Sequence, residues 1–412
     1  MHFNEHEAAF RRAASRLSRR EFLNRLGALQ PNRPSMGEWL VYAKEVETTV
    51  TRMGAHMAPV TFFRDSGQPV QPYHISPWQD EKPTKMPAPV LNTLRGDFFC
   101  LPFGGNSEAV AGEKHPPHGE IVGDAWKAAG SKKSGDVTTL TLGIETKARK
   151  GRVTRELSLV DGQNVVYSRT LIEGFAGRVP LGHHATLAMP EKEGAVRIAT
   201  SAFKFGMTCP ALFSDPKQRE YQALQRGAKW TNLTKVPAAW KGAPDADLTR
   251  LPARYGYADL VQIANEPWAR TGGPAWITAT YPDAGDVWFA LKDPAVLNST
   301  VFWIENHGRH GHPWNGRNNC LGLEDVTAHF ADGLAASMKE NTLTREGVQT
   351  AVTLSADQPT SVNYVQDAVR IPAGFENVQP LEFAPGAVTF VSTTGKRVTA
   401  PVRHDFVKTG KL

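Results

Sequence analysis

Three cysteines are too few to staple a chain of 412 residues. Cys100, Cys209 and Cys320 stand far apart and cannot all pair, so they are expected to be reduced, mostly buried thiols, as in a cytoplasmic protein. Long apolar runs are missing as well. None approaches the ~18 residues that a membrane-crossing helix needs, so no membrane association is expected. Neither sign of charge dominates: the formal net charge is +6, and the positives are scattered. The densest run, Lys147-Ala-Arg-Lys-Gly-Arg152, reads as a hairpin turn between strands. It lacks an aromatic stacking platform, and nucleic acid is not an expected partner. Also absent are repeats with a period of roughly 20–50 residues, low-complexity tracts and any linker that would divide residues 36–412.

What remains is a globular composition, 41% apolar and 21% charged, punctuated by 36 glycines and 29 prolines. Residues 5–27 show apolar positions at helical spacing (Ala9, Phe10, Ala13, Leu17, Phe22, Leu26), with Asn4 as a cap and Gly27 and Pro31 as a stop. Ser18-Arg-Arg-Glu-Phe-Leu23 imitates a twin-arginine signal, but no apolar stretch or cleavage site follows, so it reads as surface helix. Residues 1–35 are therefore expected to form an amphipathic helical arm.

From residue 36 onward the texture is strand-like. Short apolar runs bounded by turn residues recur at Trp39–Tyr42, Pro59–Phe63, Val137–Leu142, Val153–Leu159, Val165–Leu171, Val196–Ser201, Trp276–Thr280, Val287–Leu291, Ser299–Ile304, Thr350–Leu354 and Val388–Val391. Asp161-Gly162 marks a hairpin. Helical spacing is limited to Lys217–Gly227 and, more faintly, Asp325–Met338. The stretch at about 208–260 has little periodicity and reads as a loop-rich insertion. Many strands without alternating helices predict an all-β sandwich in one domain, 36–412.

Four segments carry candidate chemistry. Leu94–Asn106 is an apolar strand with Arg95 at its start and Gly104-Gly105-Asn106 at its end. His115-Pro-Pro-His118-Gly119 precedes Trp126. His183 and His184 open an apolar run, on opposite faces if that run is a strand. Finally, Asn306–Glu324 packs His307, His310, His312, Arg309, Trp314 and Arg317 into a Gly/Asn-rich loop, then delivers Glu324 from a short apolar strand. A lone carboxyl in such a strand is costly unless a partner or ligand compensates it. Each segment also has a structural reading: turn histidines, a bonded core histidine, or a salt bridge from Glu324 to Arg95 or Arg317.

Taken in order, an Arg-Gly strand ending in Pro102-Phe-Gly-Gly-Asn106, a Pro117-His118-Gly119, a central histidine and a late Gly322-Leu-Glu324 resemble the aldose 1-epimerase (galactose mutarotase) superfamily. The resemblance spans roughly residues 50–400. It implies a β-supersandwich, a small-molecule carbohydrate as substrate and no cofactor. Glu324 would be the general base and His184 or His183 the general acid of anomer interconversion, with His118 and Arg95 on sugar hydroxyls. Trp314 would stack on the sugar face, and Asn106 and Arg317 complete the binding set. Glu120-Ile121-Val122 stands where the sugar-phosphate branch holds a phosphate-binding arginine, which weighs against a phosphorylated substrate. The family's sugar-binding aspartate has no counterpart. Two alternatives therefore stand beside the isomerase: a non-catalytic carbohydrate-binding protein on the same fold, and a metal-dependent protein using His307, His310 and His312 with Glu324.

Overall fold

The computed structural model describes residues 37–412. The expected N-terminal arm falls outside that range. Residues 38–412 form one compact unit, built almost wholly of antiparallel strands. A nine-stranded sheet runs from Arg250–Leu251 at one edge to Lys127–Ser134 at the other. An eight-stranded sheet has Tyr257–Asn265, Ser299–Asn306 and Asn319–Thr327 at its centre.

The Asp286–Lys292 strand, DVWFALK, shows why the chain stacks in layers. Its Trp288 and Ala290 face the core shared by the two large sheets. Val287, Phe289 and Leu291 point the other way, into a second apolar cluster with Leu381, Val388 and Phe390. Those residues belong to a three-stranded sheet, Val378–Ala384, Ala387–Ser392 and Arg397–Pro401, that covers the outer face. A strand apolar on both sides must be covered on both sides, because each exposed apolar face would forfeit ~25 cal/mol per Å². The central strands of the eight-stranded sheet are buried on both faces too, and the cleft lies on the face opposite Asp325.

Every strand-like run named above lies in or overlaps a strand. Residues 147–150 form the turn between Val137–Thr146 and Gly151–Val160, and the next hairpin turns at Asp161-Gly162, with Gly162 at φ +87. All three cysteines are free and buried. No helix among the described residues is long and apolar enough to cross a membrane.

The two helical expectations need correction. Of Lys217–Gly227, only a 3-10 turn at Pro216–Gln218 is helical. The Asp215 side chain caps it, Arg219 adopts φ +63 and ends it, and Asp259 then draws in the backbone N–H groups of Ala223 and Leu224. Asp325–Met338 begins as strand up to Thr327; only Leu334–Met338 is helix, entered through Phe330 (φ +41) and Gly333 (φ +86).

Candidate active site

The cleft is built on the alternation of one strand. Glu324 and Asp325 are neighbours in Asn319–Thr327, so their side chains leave opposite faces. Asp325 turns into the molecule, where Lys292 (2.5 Å), Thr300 (2.6 Å) and Tyr364 (2.7 Å) bond its carboxylate. Glu324 turns outward into the cleft. Gly322, two residues back on the same face, leaves it room: a Cβ there would stand 2.5 Å from Glu324 Oε1 and 2.9 Å from the Cβ of Trp303.

The strand Ala185–Ala188 pairs alongside and brings His184 next to Glu324. His184 Nε2 lies 3.3 Å from Glu324 Oε1, and its Nδ1 lies 3.2 Å from Thr186 Oγ1. The imidazole stacks on Phe98 at 4.6 Å, and the His118 ring stands 5.0 Å away, edge-on. His118 is held by its backbone: its N–H donates to the Gly104 carbonyl, and it adopts φ +62 ahead of Gly119. His183 faces inward, bonded to Asp97 (3.1 Å) and stacked on Tyr364 at 4.2 Å. Arg155 completes that interior cluster with a 2.7 Å bond to Asp97. Burial alone would raise the Asp97 pKa, but His183 and Arg155 hold it down at about 2.

Electrostatics set the proton inventory of the cleft. Burial pushes the Glu324 carboxyl well above the usual carboxylate range. Burial, with His118 nearby, pushes the His184 imidazole well below its ordinary value, and burial lowers His118 to about 4. Both shifts favour the uncharged forms, so the pair is best described as sharing one proton. It is either carboxylic acid with imidazole or carboxylate with imidazolium, and the desolvated site favours the first form.

Around this pair lies a cavity of about 240 Å³. Its walls are mostly apolar: Leu91, Phe98, Phe213, Leu260, Trp303 and Trp314. Trp314 meets Trp303 edge-on at 5.5 Å and Trp78 at 4.9 Å. The loop bearing Trp314 is tied down by two buried acids. Glu305 accepts the backbone N–H groups of Gly308 and Arg309, and Glu220 accepts those of His310 and Gly311. Glu220 comes from the loop-rich insertion, as does Phe213, so the insertion builds one wall of the cleft.

Of the residues singled out from sequence, Glu324, His184, His118 and Trp314 meet in this cavity. His183 does not; it faces the interior. Arg95 and Asn106 do not line it either. Arg95 bonds Glu38 (3.0 Å) and Gln79 (3.1 Å). Asn106 donates to the carbonyls of Pro102, Gly104 and Pro116 and accepts from Leu334 N–H, a wholly structural set. Arg317 pairs with Glu81. The loop histidines disperse: His307 binds Glu191 and stacks on Tyr255, while His312 reaches Thr84. Among the described residues no three His, Cys, Asp or Glu side chains gather as a metal requires. Arg309, which sequence reasoning did not single out for binding, lines the cleft instead. Only its position beside Trp314 in the same loop hinted at this.

No family model matches the chain, and no curated protein matches it in sequence. Solved structures do. A galactose mutarotase-like protein from Clostridium acetobutylicum is 10% identical, with a TM-score of 0.51 over 81% of this chain and 95% of that one. A candidate mutarotase from Salmonella typhimurium is 10% identical, with a TM-score of 0.52 over 85% and 99%. A protein from Synechocystis sp. is 14% identical, with a TM-score of 0.52 over 82% and 97%. At such identities the likeness speaks for the fold. This chain has the galactose mutarotase-like β-sandwich fold.

Proposed function

We propose that the protein interconverts the anomers of a sugar by general acid–base ring opening, with Glu324 and His184 as the proton-transferring pair. The observation that carries this reading is their 3.3 Å approach inside a desolvated, aromatic-walled cleft. Because burial favours protonated Glu324 beside neutral His184, the forward step starts from that state, the reverse of the roles the resemblance implies. The Glu324 carboxyl gives its proton to the ring oxygen while His184 takes the proton of the anomeric hydroxyl. The bond between C1 and the ring oxygen breaks and leaves an open-chain aldehyde. After rotation about C1–C2, reclosure on the other face of the carbonyl returns both protons. One shared proton suffices in either direction, since each closing step restores the donor spent in opening. Acid and base contributions of ~10²–10⁴-fold each are typical.

Trp314 and Trp303 supply flat apolar faces for the C–H side of a pyranose, and His118 is within reach of the same space. A second reading, a binding protein without catalysis, is favoured by the scarcity of polar groups in the cleft. A ligand with many hydroxyls would leave most of them unpaired. One-dimensional NMR of a freshly dissolved α-anomer, with and without the protein, separates the two. Acceleration over buffer is expected across a panel of neutral and acidic aldoses. Binding with buffer-rate exchange throughout would leave the fold and remove the enzyme.

A further inference from the structure

Among the described residues lining the cleft Arg309 is the one with a permanent positive charge, and no ion pair answers it. Its guanidinium lies over two aromatic rings, 5.0 Å from the Phe213 centroid and 5.1 Å from that of Trp314. Among the described residues it makes no ion pair and no side-chain hydrogen bond, and its Nε is buried without a partner. No acid among the described residues forms an ion pair with it, although Glu305 feels its charge. Glu305 spends Oε1 on backbone N–H groups, and burial lifts its pKa to about 8, so it is largely uncharged at neutral pH. Glu220 is committed to the N–H groups of His310 and Gly311. Burial also disfavours the charged form of Glu324 in the cleft.

An arginine enclosed in this way is costly unless something brings a counter-charge, because half-buried cations are normally paired. Phe213 and Trp314 hold it at cation–π distance and offer no hydrogen-bond acceptor to its N–H edge. That edge is a planar fork matching two oxygens in one plane. We infer that the sugar handled by this cleft is an acid whose carboxylate pairs with Arg309. One cation matches a monoanion. A phosphate ester carries −1.5 to −2 (about, at pH 7), and the cleft offers it no second positive charge, since His118 and His184 are neutral there. The same substitution of charge for hydroxyl contacts explains how so apolar a cavity can hold a sugar: one charge-assisted fork replaces several neutral bonds. This inference rests on the reading of the cleft as a sugar site.

Full-length protein titrated with D-galacturonate, D-galactose and D-galactose 6-phosphate, followed by tryptophan fluorescence and calorimetry, tests it. Galacturonate is expected to bind roughly tenfold or more tightly than galactose, and the phosphate no better than the neutral sugar. Arg309→Gln should erase the preference for the uronate, and Arg309→Lys should keep part of it; circular dichroism shows whether each variant folds. Equal binding of uronate and galactose, tighter binding of the phosphate, a preference that survives Arg309→Gln, or no binding at all would overturn the carboxylate assignment. Anomer exchange is read separately: Arg309-dependent uronate binding at buffer-rate exchange keeps this inference and removes the isomerase. Acceleration of neutral and acidic sugars alike, unaffected by Arg309→Gln, does the reverse.

Discussion

His183 and His184 are consecutive, yet one imidazole is sealed in the protein interior on Asp97 and Tyr364 while the other faces the cleft on Glu324. The same division recurs at Glu324 and Asp325 and at Asp97 and Phe98. His184, Glu324 and Phe98 are therefore each backed, one peptide away, by a member of a buried polar layer.

That layer gives the first prediction. Asp97 is fully buried and compensates both Arg155 and His183. Asp97→Ala strands the Arg155 guanidinium in a place without water. A loss of roughly 3–5 kcal/mol is expected, measured by urea unfolding. A loss below about 1 kcal/mol would mean that the cluster is held together by packing and backbone bonds instead.

Glu324→Gln keeps the shape and much of the hydrogen bonding of the carboxyl but cannot pass a proton at neutral pH. Anomer exchange should fall to the buffer rate, with sugar affinity changed by less than a few fold. His184→Ala should slow exchange by ~10²–10⁴-fold. His183→Ala, by contrast, should act on stability. If His183→Ala and His184→Ala lower exchange equally in folded protein, the assignment of the cleft-facing histidine falls.

Gly322 sits at an ordinary backbone angle, so its role is space alone. In Gly322→Ala the methyl would lie 2.5 Å from Glu324 Oε1 and 2.9 Å from the Trp303 Cβ. Glu324 must rotate away from His184, and some strain remains at Trp303, of order 1–3 kcal/mol. The expected outcome is a large loss of exchange in a protein that still folds. Near-normal exchange in this variant would show that the 3.3 Å contact is not needed.

The layered β-architecture was legible in the sequence because strands such as DVWFALK are too apolar to have an exposed face. Alternation also put His183 and His184 on opposite sides, but it fixes only relative phase. Which one meets Glu324 depends on pairing with a strand some 140 positions later in the chain. Arg95 was misplaced for a similar reason. Nothing local announces Glu38 and Gln79 as its partners, whereas an arginine beside an apolar strand invites a ligand reading. Lys217–Gly227 had helical spacing, yet bonds from its backbone to the distant Asp259 won over local propensity. The role of Arg309 is not legible in sequence, because it lies in the lack of an ion-pair partner among the described residues.

The last prediction concerns Glu305 and pH. This carboxyl is buried beneath the Trp314 loop, and burial, with Glu220 nearby, raises its pKa to about 8 against the pull of Arg309 and two N–H donors. An unfolded glutamate ionises near 4.3 (about). Between those values the folded chain keeps a proton that the unfolded chain has given up. Stability conferred on the native state should therefore decline as pH rises through that window and level off above about 8. At ~1.4 kcal/mol per pH unit for one proton, about 2 kcal/mol should disappear between pH 6 and pH 8. Glu305→Gln keeps an oxygen for the N–H groups of Gly308 and Arg309 but has no proton to lose. Other groups titrate in both proteins alike, so the gap between variant and wild type isolates Glu305. That gap should move in favour of the variant by about 2 kcal/mol over the two pH units. Urea unfolding at a series of pH values reads it directly, and parallel curves would show that the Glu305 carboxyl is already ionised in the fold.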